Sequence, residues 1–408
     1  MGTVRVKAEQ GSGAARQMTA ESLDHRPGKQ QEQAENGAPQ LDLLPRRPAA
    51  PLPVLDERSS RGAKFIGLPV SSVLNTPAST GMDFWSINPY VGCEFGCMYC
   101  YARDTHRWTV ERAVRRNSGT AVEANAKTSE GGNGEEHTDV PSYRVTALPA
   151  YRRSVLPPEE AFEKEILVKT DVAEVLKRTL NPTKLAGHSL VIGTATDPYQ
   201  PAERQFGLTR QILEALRSYQ GLSIEIITKS TLVTRDLDVL QALSTRHDVT
   251  VNISLATADA RLARLLELRS PVPAARLRAL RRLIESGIYA GLLVAPIIPG
   301  VTDDWTGLAR LIEAAKEAGA RYVVGSALRL GPAARHRFLP FLTREFPALA
   351  ERYRHHYNGK DHVSQSYQDA LTRRLRLLKQ TYGFSTNDNM RRRRQLAEPN
   401  SDEQAVLL

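Results

Sequence analysis

Nowhere in its 408 residues does the sequence approach the roughly 18 consecutive apolar residues of a membrane span. Its start, MGTVRVKAEQGSG, lacks the apolar segment of a secretion signal. A soluble, cytoplasmic protein with no membrane partner is expected. Cysteine is nearly absent: Cys93, Cys97 and Cys100 are the only three. An odd number packed into one short run excludes a disulfide framework and suits a metal or cluster site in a reducing compartment. Aromatic residues make up 6% of the chain, and no basic module interleaved with aromatics, of the kind that stacks nucleic-acid bases, is present. No repeat at a solenoid period is visible either.

What the chain has in surplus is positive charge. Lys and Arg number 55 against 45 Asp and Glu, a formal net charge of +10. That balance fits a polyanionic partner such as a nucleic acid. It also fits a general preference for arginine, and the densest run, Arg391 to Arg394, falls in an expected tail. Residues 1–62 are rich in Gln, Glu, Gly, Pro and Ala and cannot bury enough surface to offset the entropy of ordering. RNSGTAVEANAKTSEGGNGEEHTDVPS, residues 116–142, reads as a second disordered stretch, and 386–408 as a disordered tail. A folded core over 63–345 and a helical extension over 346–385 remain.

Within the core, short apolar strands alternate with amphipathic helices. The strand runs are FWSIN (84–88), LVIGTAT (190–196), LSIEIIT (222–228), VTVNISL (249–255), AGLLVAPII (290–298) and RYVVGSAL (321–328). Leu208, Ile212 and Leu216 mark one helical stripe, and Leu277, Leu280 and Ile284 another that stops at Gly287. Asp303 and Asp304 stand at the start of a further helix, where they suit its cap and dipole. SQSYQDALTRRLRLLKQTYG places Tyr367, Leu371, Leu375, Leu378 and Tyr382 on one face of a helix that lids or buttresses the core, with Arg373 and Arg376 on the polar side. Apolar strands joined by helices imply a parallel α/β sheet, either doubly wound or part of a barrel. In both, ligands sit at the carboxyl ends of the strands. Thr194, Thr196, Asp197, Lys229 and Ser254 lie at or near those ends, as does the cysteine loop.

The spacing C-x3-C-x2-C offers three thiolates and leaves a fourth coordination position open. Zinc with His106 as fourth ligand is one reading, and packed free thiols are another. A four-iron cluster with one iron lacking a protein ligand accounts for all three cysteines and for the open position. Gly92 and Gly96 add to this, because a loop folded round a cluster needs unhindered backbone. His106 and Trp108 read as packing beneath the loop, and His355 and His356, adjacent on a helix, as surface or packing residues.

The run C-x3-C-x-aromatic-C, with Tyr99 as the aromatic, resembles the signature of the radical S-adenosylmethionine (SAM) superfamily. The longer strings NPYVGCEFGCMYCYAR, GTATDPYQPAE and APIIPGVTDD are similar to its spore-photolyase-like branch, over roughly residues 65–330. The resemblance implies a partial (βα)6 barrel of the TIM type. It also implies a [4Fe-4S] cluster on Cys93, Cys97 and Cys100, and S-adenosylmethionine bound at the open iron. The expected activity is reductive cleavage of S-adenosylmethionine to a 5'-deoxyadenosyl radical that abstracts hydrogen from a substrate. By position, Tyr99 would pack near the adenine, and Thr194 and Thr196 would meet the methionyl amino or carboxylate group. Asp197 stands where relatives carry an acidic residue in a Gly-Gly-Glu string, Lys229 would pair with the methionyl carboxylate, and Ser254 would contact the ribose. Tyr199, Gln200 and Glu203 lie on the connection leaving the mouth, where a substrate contact is open to them.

The implied partners are S-adenosylmethionine, an electron donor such as a flavodoxin or ferredoxin, and a nucleic acid. The first expectation is a lyase or transferase acting on a nucleic-acid or nucleotide-like substrate. The alternatives are radical modification of a protein or small metabolite, and an electron carrier or redox sensor without turnover. The branch's DNA-repair enzyme uses a further cysteine to return a hydrogen atom, and this chain has no fourth cysteine.

Overall fold

The chain forms two sheets flanked by helices, and the computed structural model describes residues 54–56, 62–105 and 156–385 of it. The expected disordered stretch at 116–142, the tail at 386–408, His106 and Trp108 lie outside the described residues. The strands are β1 (Val54–Asp56), β2 (Lys64–Gly67), β3 (Leu74–Asn75), β4 (Trp85–Ile87), β5 (Tyr90–Val91) and β6 (Glu165–Val168). They continue with β7 (Ser189–Ile192), β8 (Ser223–Thr228), β9 (Asp248–Ser254), β10 (Tyr289–Ile297) and β11 (Val323–Ala327).

The larger sheet runs in the order β11-β10-β9-β8-β7-β4-β3. Its six strands from β4 to β11 are mutually parallel, and β3 joins antiparallel at the edge. These six correspond to the six apolar runs of the sequence. Ile224, Ile226, Val251, Ile253, Leu292 and Val294 are fully buried at 0% exposure, each stabilising the fold by roughly 1.5–3 kcal/mol. The two ends of the sheet, β3 and β11, are not paired with each other, so the barrel is open.

Helices fill the crossovers as the spacing predicts. Leu208–Leu216 buries Leu208, Ile212 and Leu216, and Pro273–Glu285 buries Leu280 while half-burying Leu277 and Ile284 against the core. Asp304 caps Trp305–Glu317 through Gly307 N at 2.7 Å. Asp303 instead accepts from Gly300 N and from the Tyr367 hydroxyl, at 2.7 and 2.8 Å. Tyr367 belongs to Gln365–Thr381, which buries Leu371, Leu375 and Leu378 against Trp305–Glu317 and β11. That helix therefore covers an edge of the parallel sheet, and Arg373 and Arg376 stay exposed. His355 is exposed and His356 sets its ring edge-on to Tyr357, as surface and packing residues do.

The smaller sheet, β1-β2-β6-β5, was not legible in the sequence. Within the stretch expected as a tail, Val54–Asp56 pairs antiparallel with β2. β6, only four residues, pairs parallel with β2 and antiparallel with β5. Its importance is positional: β5 leads directly into Gly92 and the cysteines.

Parallel strands put their carboxyl ends on one edge, and that edge carries Asn88, Gly193, Thr194 and Lys229. The run expected as strand to residue 196 stops at Ile192 because Gly193 turns the chain at φ +100°. A β-carbon there would lie 2.5 Å from the Ile227 carbonyl oxygen and 2.6 Å from Pro198 Cδ. Strained backbone and overpacking together set the expected cost of Gly193→Ala at about 2–4 kcal/mol. Urea denaturation checks this, and a loss well under about 1 kcal/mol would show that the chain does not make this close turn.

Candidate active site

Three independent clamps hold the cysteine loop. At its start, Cys93 N donates to Phe162 O at 2.8 Å. Gly92 O accepts from Thr196 Oγ1 at 2.6 Å and Gln200 Nε2 at 3.1 Å. Gln200 Oε1 in turn accepts from Glu94 N at 2.9 Å, and Ala202 N donates to Glu94 Oε2 at 2.7 Å. Gly92 has φ +91° and leaves no room for a β-carbon, which would sit 2.8 Å from Phe162 O. Gln200 and Glu203 are fully buried, at 0% exposure. Glu203 accepts from the Tyr90 hydroxyl, Thr209 N and Arg235 Nη2 at 2.6, 2.9 and 2.9 Å. Tyr199 is also buried, at 1% exposure. Gln200 and Glu203 of the segment read as open to a substrate spend their side chains on internal partners and so clamp the cysteine loop and its surroundings.

The second clamp is the Glu163 carboxylate. It takes Arg103 Nη2 on one oxygen and Arg269 Nη2 on the other, both at 2.5 Å, with Arg337 Nη2 at 3.5 Å. Arg103 also donates to Cys97 O at 2.8 Å, and Arg269 Nε to Glu94 O at 2.5 Å. Burial pushes the Glu163 carboxyl up, but the Arg103 and Arg337 charges and the arginine hydrogen bonds outweigh it and hold the group below its ordinary value.

The third clamp comes from the excursion after β9, helix Ala260–Leu266 and the loop behind it. Met98 N donates to Leu266 O at 2.9 Å, and Cys97 pairs with Glu267 as an isolated antiparallel bridge. Glu267, 2% exposed, accepts from the Tyr99 hydroxyl on one oxygen and from Arg276 on the other. Arg276 is itself fixed by Ser254 O at 3.0 Å and Pro271 O at 2.7 Å. Burial raises the Glu267 carboxyl, and Arg276 and Lys229 overcome that, so it stays ionised with a lowered pKa.

Among these groups lie the thiols, Cys93 and Cys97 buried and Cys100 half-buried, with no disulfide. Burial pushes the Cys93 thiol well up and the Cys97 thiol up to about 12, with Lys229 pulling the latter down. A thiolate there requires positive charge beside it. Lys229 Nζ stands 5.9 Å from the centre of the Tyr99 ring. Burial lowers Lys229, but Cys97, Glu267 and Asp197 more than restore it, so the ammonium is retained.

The remaining residues singled out by the sequence are tied to the protein. The Thr194 hydroxyl accepts from Asn88 Nδ2 at 3.0 Å, and its carbonyl accepts from the Tyr101 hydroxyl. Asp197 accepts from Thr228 Oγ1 and Lys229 N at 2.7 Å and from Tyr199 N at 2.9 Å, knotting the ends of β7 and β8. Its carboxyl is raised by burial in spite of those bonds. Ser254 Oγ donates to Ala295 O at 3.2 Å. The structure thus gathers Cys93, Cys97, Tyr99, Asp197 and Lys229 at one place, and Ser254 joins them through Arg276.

Among the described residues no three His, Cys, Asp or Glu side chains close on a single ion. A four-iron cube holds its thiolates further apart than one ion does. Three thiols, with no fourth cysteine in the chain, on backbone freed by glycine, fit such a cube with one open corner.

Glu163, Glu267 and Arg276 are the site builders that motif spacing did not single out. Glu163→Ala removes the carboxylate that faces the buried Arg103 guanidinium and is expected to cost about 3 kcal/mol. Because the folded-state pKa is depressed, the stabilisation is present above the unfolded value and is lost as pH falls through the folded one. Wild type and Glu163→Gln should therefore differ in denaturation midpoint at pH 7 and converge as the pH falls through the lowered folded-state value. A gap that persists in acid would show that the carboxylate charge does not hold the loop.

Residues 87–312 match the family model described as Radical SAM superfamily. An uncharacterised protein of Mycobacterium tuberculosis is 30% identical over 325 residues, 78% of this chain and 82% of the relative. Another uncharacterised protein, from Methanocaldococcus jannaschii, is 26% identical over 217 residues, 53% of this chain and 61% of that one. A solved spore photoproduct lyase variant shares the fold at 12% identity, with a TM-score of 0.51 over 78% of this chain and 79% of that chain. The cysteine motif, the open sheet of parallel strands and these matches agree: this chain belongs to the radical SAM superfamily.

Proposed function

We propose that Cys93, Cys97 and Cys100 hold a [4Fe-4S] cluster and that S-adenosylmethionine binds beside it. When bound, this pair supplies the electron and the sulfonium bond whose cleavage yields a 5'-deoxyadenosyl radical. The observation that carries the reading is geometric: Lys229 Nζ stands 5.9 Å from the Tyr99 ring at the strand ends, beside the loop that holds all three cysteines.

In this reading Lys229 pairs with the methionyl carboxylate, and Tyr99, its hydroxyl pinned by Glu267, offers a fixed ring to the adenine. Thr194, Thr196 and Asp197 line the methionyl side, and Ser254 the ribose. Their hydroxyl hydrogens are spent on protein acceptors where they donate, as at Thr196 and Ser254, so they meet a ligand as acceptors. Burial of Cys93, Cys97 and Tyr99 keeps water from the site.

Residues 63–345 would form the radical core and 346–385 an extension, in a cytoplasmic protein. No helix among the described residues is long and apolar enough to cross a membrane. For substrate, a nucleic-acid or nucleotide-like molecule has the best support: the net charge of +10, and Tyr101, 42% exposed beside Thr194, as a ring on which a base packs. With no fourth cysteine, three routes stay open: hydrogen returned from a tyrosine, hydrogen returned from 5'-deoxyadenosine, or a different chemistry altogether.

Anaerobically reconstituted protein, reduced with dithionite, is expected to release 5'-deoxyadenosine from S-adenosylmethionine, and Cys97→Ala to lose both the cluster absorption and the product. A loaded cluster that yields no product would identify an electron carrier or redox sensor. Deuterium gained by 5'-deoxyadenosine from a labelled oligonucleotide, peptide or metabolite then identifies the substrate class. Lys229→Ala is expected to weaken S-adenosylmethionine binding by about 1.5–3 kcal/mol, roughly 10- to 150-fold, at unchanged iron content. Unchanged affinity in an equilibrium titration removes Lys229 from the site.

A further inference from the structure

The two buried cysteine sulfurs are served differently. Burial pushes the Cys93 thiol up, and the Phe95 and Asp197 backbone amides work against it. Burial pushes the Cys97 thiol up as well, and there the answer comes from charge, Lys229 and Arg276 against Glu267. Cys97 also has a side-chain hydroxyl beside it: Ser270 Oγ lies 3.9 Å from its sulfur. Ser270 is 3% exposed, and among the described residues its hydroxyl has no other hydrogen-bond partner. A loop serine ordinarily turns its hydroxyl onto neighbouring backbone, and this one turns to sulfur instead. Its backbone is pinned on both sides. Arg269 N donates to Phe95 O at 3.1 Å, and Arg276 Nε donates to Pro271 O at 2.7 Å. Arg264 Nη1 reaches the Ser270 carbonyl at 3.5 Å, and Pro271 disfavours a helical turn at the residue before it.

As a thiol, Cys97 can give or take in this contact. As a thiolate ligand it can only accept, so the hydroxyl donates. A donor aimed at a ligand sulfur stabilises the extra negative charge that reduction brings, and so raises the potential of an iron-sulfur site. The geometry points to Ser270 as a residue that sets the cluster's reduction potential through Cys97, by donating its hydroxyl hydrogen to the ligand sulfur. This rests on the cluster reading above. The single electron comes from the reductant, dithionite in the test, and no bond forms or breaks at Ser270. Ser270 touches no reacting atom, so it is a positioning residue. Because its donor is a side chain and not an amide, substitution removes it without altering the backbone of the cysteine loop.

The test uses the full-length chain, reconstituted anaerobically, with Ser270→Ala to remove the donor and Ser270→Thr to keep it. Iron and sulfide content are measured first. The reduced cluster is then followed by electron paramagnetic resonance in a redox titration with dithionite, without S-adenosylmethionine. At a fixed solution potential, Ser270→Ala is expected to show a roughly tenfold lower ratio of reduced to oxidised cluster, a downward shift of about 59 mV for one electron. Ser270→Thr should recover about half of that shift or more. An unmoved or raised potential in Ser270→Ala overturns the proposal. An equal shift in both variants overturns it too, since packing and not the hydroxyl would then be the cause. So does loss of iron from Ser270→Ala, which would make Ser270 a brace for the loop. A wild type that takes up iron but shows no four-iron signal removes the cluster reading and this assignment together. A normal wild-type signal with an unmoved Ser270→Ala potential removes the Ser270 assignment alone.

Discussion

Two buried carboxylates, Glu163 and Glu267, fix the cysteine loop between the small sheet and the excursion after β9. Neither contributes much net stability, because desolvating such charges costs about what their pairing returns. What they confer is position. Glu163 grips Arg103 and Arg269, whose other donors reach Cys97 O and Glu94 O, so one carboxylate sets the backbone on both sides of Gly96. Glu267 turns the Tyr99 ring and, with Arg276, ties it to the end of β9. Elements widely separated along the chain thus place the motif's backbone, while the motif supplies the sulfur.

The division explains what could be read in advance. The six parallel strands declared themselves as apolar runs between helical stripes, since burial on both faces demands that composition. The cysteines, their glycines and Lys229 were visible because their chemistry is encoded within a few residues of one another or at a strand end. Glu163 and Glu267 were not. Glu163 lies 60 and 106 residues from Arg103 and Arg269, and Glu267 lies 168 residues from Tyr99, and nothing in EEAFEK or LLELRS marks a carboxylate as internal. β5 and β6 escaped for a related reason: two and four residues are too few to show a period. Gln200 and Glu203 had the look of mouth residues because they follow a strand end. The turn through Pro198 sends them inward instead, each 0% exposed.

The polar residues at the strand ends hold the structure together at the place proposed for the chemistry. Thr196 and Asp197 close the turn after β7 onto Gly92 and onto the end of β8, respectively, so the cysteine loop and the Lys229 backbone share a rigid frame. A site built this way is organised before any ligand arrives, and little ordering entropy is left for binding to bear.

The Arg103 and Glu163 pair has one more effect. These residues flank the long chain excursion between Thr105 and Leu156, and at 2.5 Å they staple its two stems together. One ion pair thereby fixes both where the chain leaves the cysteine loop and where it comes back, and the backbone carrying Cys97 is held from either stem.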